Sequence, residues 1–146
     1  MRNFSSLALL MFVAHLLTVT AVAWQAGHAK ETHTHADAAK LQNPVAADAA
    51  SLEAGKKLYD EQCAGCHGDT GKADGPMAAY TGDPQPSNLA DGEWKHGSSD
   101  GEIYTVIIEG VDGTAMKDFA KDLKPTEIWH VVNYVKTLGP KPAKAH

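Results

Sequence analysis

Cys63-Ala64-Gly65-Cys66-His67 sets two thiols three residues apart and an imidazole directly after the second. Thiols at that spacing can each add across a vinyl group of one haem, forming paired thioethers. The adjoining histidine then sits beneath the ring, where its imidazole can bind the iron. This order and spacing is the attachment pattern of c-type haem. Cys63 and Cys66 are the only cysteines in 146 residues, so no thiol remains for a disulfide and no second motif for a second haem. One covalent haem c, with its iron, accounts for both.

Two other uses of a cysteine pair are weaker. A structural zinc site wants a second ligand pair at a suitable spacing. The remaining histidines are His15, His28, His33, His35, His96, His130 and His146, and none forms that pair downstream of Cys66. A thioredoxin-like redox motif would sit beside a βαβ pattern, and none flanks this one.

The compartment agrees with haem attachment, which takes place outside the cytoplasm. Arg2 is followed by a largely apolar run from Leu7 to Trp24. Ala21-Val22-Ala23 is an A-x-A-like cleavage site, and Gly27-His28-Ala29 a weaker one. Residues 1–23 therefore read as a signal peptide and the chain as periplasmic or otherwise exported. The alternative is an uncleaved N-terminal anchor, since Phe4–Trp24 is marginally long enough to span a membrane. No cysteine near the cleavage site offers a lipid anchor. Residues 24–50, rich in Ala, Thr and His from Lys30 on, read as a flexible linker or tail, with His28, His33 and His35 a loose metal-binding tract at most. Residues 51–139 form one small domain and 140–146 a C-terminal tail. No nucleic acid is expected for so acidic a chain, net −5. Contact with a membrane is expected only if the N-terminal segment is retained.

Helix signals fill the domain. Ser51 can cap a helix to about Gln62, with Leu52, Leu58 and Tyr59 on one side, and Gly55 in it suggests close approach of another helix. Ser99-Asp100-Gly101-Glu102 is a capping box opening a helix through Glu109, with Ile103, Val106 and Ile107 as its apolar face. Pro125 and Glu127 open a last helix in which Ile128, Val131, Val132 and Val135 follow i, i+3, i+4, i+7 spacing. Gly68–Gly97 is a long Gly-, Pro- and Asp-rich loop, plausible only if it wraps something. No alternating strand pattern is present, so the expected fold is all-α.

Iron held by one histidine takes a sixth ligand or stays open to exchange, and His–Met pairing is common in electron carriers. Outside the leader there are two methionines. Met116 lies in a glycine-bearing loop between two amphipathic helices, whereas Met77 follows Gly75-Pro76 only ten residues from His67. Met116 is the expected ligand; for either, the alternative is a core-filling methionine.

Together these pieces resemble a class I c-type cytochrome, specifically a monohaem domain similar to the cytochrome c subunits of bacterial terminal oxidases. The resemblance rests on Gly55–Tyr59, the Cys63–His67 motif with Gly68, Asp74-Gly75-Pro76 and Pro86-Ser87-Asn88-Leu89. It continues through Asp100-Gly101-Glu102-Ile103, Gly113–Met116 with Phe119, and Ile128-Trp129 to Tyr134-Val135. It implies three to five helices wrapped around one covalent haem, thioethers from Cys63 and Cys66, and His67 and Met116 as axial ligands. It also implies that the Pro76 carbonyl accepts the other ring N–H of His67, that Gly55 and Tyr59 meet the last helix near Trp129 and Tyr134, and that Trp94 donates its indole N–H to a haem propionate, with core or surface packing the equal alternative for Trp94. The departure is Lys117, where many relatives have proline, which leaves the loop less constrained.

Loss of residues 1–23 removes Arg2 alone among the charges, taking the net charge from −5 to −6. Acids dominate Asp48–Glu109, while Lys117, Lys121 and Lys124 follow the ligand methionine, an asymmetry suited to docking redox protein partners. The expected function is a periplasmic one-electron carrier with no catalytic residues, not an enzyme. Its rivals are a membrane-attached haem subunit of a dehydrogenase or terminal oxidase, and a haem enzyme or gas sensor with a displaceable Met116.

Overall fold

The structure, a computed structural model, describes residues 37–140. The expected export signal or anchor, the histidine tract and most of the C-terminal tail lie outside the described residues. Among the described residues four α-helices run in order: α1 Ala49–Gln62, α2 Ala64–His67, α3 Asp100–Glu109 and α4 Pro125–Val135, with 3-10 turns at Ala38–Lys40 and Ala78–Tyr80. No strand occurs among the described residues, and the fold is all-α as expected.

The centre of the domain is the crossing of α1 over α4. Gly55 lies against the His130 carbonyl so closely that a Cβ there would overlap it and crowd Tyr134. One turn on, Tyr59 is fully buried, and its ring meets that of Tyr134 at 5.2 Å between centroids. The apolar stripe of α4 is buried along its length at Ile128, Val131, Val132 and Val135. α3 joins this pair through Tyr104, whose ring stacks on Trp129 at 4.0 Å. On α3, Ile103 and Ile107 are buried and Val106 is only half-buried, while Thr105 is buried with its hydroxyl donating to the Gly101 carbonyl at 2.8 Å.

The ends follow the capping chemistry with one exchange of residues. The Ser99–Glu102 capping box forms in both directions. Pro125 opens α4, and the Glu127 carboxylate accepts the Lys124 N–H at 2.7 Å. α1, however, is capped by Asp48, whose carboxylate accepts the Ser51 N–H at 2.8 Å. Ser51 is instead buried under α4, where its hydroxyl lies 2.8 Å from His130 Nδ1 and accepts from Asn133 Nδ2 at 2.8 Å.

That crossing also corrects the extent of the linker expected at 24–50. Asn43 Nδ2 donates to Asn133 Oδ1 at 2.8 Å, and Asn133 Nδ2 reaches the Val45 and Ala46 carbonyls at 3.2 and 3.3 Å. Upstream, the 38–41 turn crosses the start of α3, where the Ala38 carbonyl and Leu41 leave no room for a side chain at Gly101. Residues 38–48 therefore belong to the folded domain. A buried asparagine stays in such a place only with its polar atoms satisfied, and this strap satisfies them.

Candidate haem-binding site

Cys63 is the corner between α1 and α2. Its N–H closes α1 on the Tyr59 carbonyl at 2.8 Å, and its own carbonyl receives the His67 N–H at 2.9 Å. One helical turn thus holds Cys63, Cys66 and His67 together. Both cysteines are unbridged and half-buried. Burial, with a smaller contribution from Cys66, pushes the Cys63 thiol up to about 12. A redox dithiol works through a thiolate of lowered pKa, so this environment argues against the thioredoxin-like use.

His67 Nδ1 lies 3.0 Å from the Ser87 carbonyl. Only a protonated nitrogen can donate to a carbonyl, so Nδ1 carries the hydrogen and Nε2 carries the lone pair. Burial lowers the pKa of His67, opposed by the bond to Ser87. The ring is therefore favoured in its neutral form, the one that binds metals. The expected acceptor was the Pro76 carbonyl, and here Ser87 provides it. Gly75-Pro76-Met77 lies across the back of the motif instead. A Cβ on Gly75 would strike the Ala64 and Gly65 carbonyls, and the Met77 N–H donates to Gly65 at 2.7 Å. Pro76 is exposed there. Ser87 was legible only as part of Pro86-Ser87-Asn88-Leu89, because a backbone carbonyl leaves no mark on residue type.

The two methionines differ in place. Met77 is 59% exposed. Met116 is half-buried and packs against the core, at the closing end of a loop that leaves α3 through Gly110. The Met116 carbonyl receives the Val111 N–H at 2.9 Å and its N–H reaches the Thr114 hydroxyl at 3.0 Å. Gly110 has φ +72 and stands against the Met116 carbonyl and the Lys117 backbone, so only glycine fits. The loop is also tied where proline is absent: Lys117 pairs with Asp122 at 2.6 Å and lies 4.8 Å from the Phe119 ring centroid.

The donor set suits haem c. Two unbridged thiols and a neutral imidazole with one free nitrogen share a single turn, and a thioether lies on the core. Cys63, Leu58, Leu89, Trp94 and Met116 all pack on that core while keeping part of their surface uncovered, as the wall of an apolar prosthetic group requires. Trp94 is half-buried and packs against the same core.

A small all-α domain with this motif on its second helix is a c-type cytochrome domain. The profile of "Cytochrome C oxidase, cbb3-type, subunit III" matches residues 50–135, more than half of the chain, and the chain belongs to that family. Haem c and electron transfer come with that membership. The chain is 35% identical over 97 residues to the cbb3-type cytochrome c oxidase subunit CcoP of Azospirillum sp. (strain B510), covering 66% of this chain and 32% of that protein. It is 30% identical over 99 residues to the cbb3-type subunit FixP of Azorhizobium caulinodans, covering 68% and 31%. It thus spans about a third of the length of these curated relatives. Among solved structures it resembles the reducing HAO-like protein complex of Kuenenia stuttgartiensis, with a TM-score of 0.63 and 35% identity over 66% of this chain and 47% of that one.

Among the described residues, no helix is long and apolar enough to cross a membrane.

Proposed function

We propose that this chain carries single electrons between redox proteins in the periplasm, through one haem c that Cys63 and Cys66 would attach and whose iron His67 and Met116 would hold. The observation supporting it most is the setting of His67. Its Nδ1–H is engaged 3.0 Å from the Ser87 carbonyl, leaving Nε2 as the only lone pair, one residue from Cys66. Bound haem c supplies a one-electron iron couple. The chain supplies the rest. The Ser87 carbonyl orients the imidazole and raises its basicity. The Met116 thioether favours the reduced metal. Apolar side chains of the core keep water away. With His67 and Met116 both holding the iron, the protein would leave no position for a substrate, and no side chain is assigned a catalytic role.

A second reading is that the same domain serves as an attached haem subunit of a larger redox assembly. It is favoured by relatives that are oxidase subunits and by the structural likeness to a protein complex. Sequencing the mature N-terminus separates the two: loss of residues 1–23 fits the carrier, and an intact Met1 or Arg2 fits the attached subunit.

The test of the site is the visible spectrum of the purified protein, with acid–organic extraction and exposure to carbon monoxide. Haem should stay with the polypeptide on extraction, and the reduced protein should not bind carbon monoxide at neutral pH. Extractable haem would remove the thioethers from the account. Carbon monoxide binding would favour an enzyme or gas sensor.

A further inference from the structure

The hydroxyl of Tyr59 is the one polar atom of a fully buried side chain, and it donates to the Gly68 carbonyl at 2.7 Å. Burial holds the phenol protonated, so it remains a donor. Gly68 directly follows His67. Its φ of +80 and the Asp74 carboxylate packed against it admit no side chain, so the direction of this carbonyl is set by a backbone open only to glycine.

The bond is one link in a closed circuit. The same Gly68 carbonyl receives the Gly71 N–H at 3.0 Å, and the Gly71 carbonyl receives the Leu89 N–H at 2.6 Å. Leu89 lies two residues after Ser87, whose carbonyl faces His67 Nδ1. Between them the Asn88 side chain accepts the Ala90 N–H at 2.8 Å and stiffens the turn. From His67 the path runs through Gly68, Gly71, Leu89 and Ser87 and returns to the imidazole. The Tyr59 hydroxyl ties this circuit to the α1–α4 crossing, where its ring packs on Tyr134.

We propose that Tyr59 is a positioning residue for the iron-binding imidazole, holding through Gly68 the turn that brings the Ser87 carbonyl to His67. This rests on His67 being the iron ligand. A phenylalanine would fill the same space and lose only the hydroxyl. The circuit would then loosen at Gly68, and the Nδ1–H bond to Ser87 would lengthen. A less polarised imidazole is a weaker donor and stabilises oxidised iron less.

The experiment is Tyr59→Phe in the haem-loaded full chain, measuring the midpoint potential and the paramagnetically shifted ring resonances of His67. Both should move, the potential upward. Ser51→Ala, which removes buried hydrogen bonds from the same helix crossing but lies outside the circuit, should lower the melting temperature and leave both unchanged. Asn88→Ala, which loosens the circuit at its far end, should move both in the same direction as Tyr59→Phe. An unchanged potential and unchanged resonances in Tyr59→Phe overturn the proposal, whatever its stability. If Ser51→Ala shifts them equally, the effect belongs to general packing and the proposal also falls. Failure of the haem assignment would show separately, as a wild-type protein without His67 resonances shifted by the iron.

Discussion

The two sides of the proposed site are built by different means. On the His67 side, one helical turn and a circuit of backbone hydrogen bonds hold the imidazole, and that circuit is anchored by a buried tyrosine. On the Met116 side, the thioether is carried by a loop whose constraints are a glycine turn, one hydroxyl and an ion pair that is 60% and 46% exposed at its two ends. An exposed pair of this kind contributes about 0–1 kcal/mol. The histidine side is therefore shaped by the fold before any ligand arrives, whereas the methionine side depends on a few local contacts.

Substitutions on the two sides should separate this difference. Gly68→Ala attacks the rigid side, because it forces a positive φ on alanine and drives a methyl group into the Asp74 carboxylate. The strain of that backbone conformation in a residue with a side chain costs about 1–3 kcal/mol, so a clear drop in melting temperature and poor haem loading are expected in thermal unfolding and absorbance. Thr114→Ala on the other side removes the hydroxyl that receives the Met116 N–H and itself donates to the Val111 carbonyl at 2.7 Å. A loss of about 1 kcal/mol is expected, with normal haem loading and faster exchange of an external ligand such as cyanide in stopped-flow measurements. If Thr114→Ala cost as much as Gly68→Ala, the two sides would be equally constrained and the contrast would fail.

Much of this could be read from residue patterns. Ser99–Glu102 and Pro125–Glu127 announced two helices because capping is local chemistry. The spacing of Ile128, Val131, Val132 and Val135 marked the buried stripe, and Gly55 announced the close crossing. Cys63, Cys66 and His67 stood out because their chemistry requires those residue types at that spacing. Other features were hidden for a common reason. The Ser87 carbonyl, the Tyr59–Gly68 bond and the strap at 38–48 all act through backbone atoms or through partners far away in the chain. Asn43 looked like linker composition because its partner, Asn133, is ninety residues away. Ser51 looked like a cap because it has the right side chain, but Asp48 stands three residues earlier and takes the N–H, freeing Ser51 for the buried contact.

In the proposed site Met116, not Met77, joins His67 in holding the iron. The most direct measurement is carbon monoxide binding to the reduced protein, together with the near-infrared methionine-to-iron band of the oxidised protein, in Met116→Ala and Met77→Ala. The account predicts that Met116→Ala loses the band, takes up carbon monoxide and has a lowered potential, while Met77→Ala matches the wild type. Loss of the band in Met77→Ala, with Met116→Ala unchanged, would contradict it.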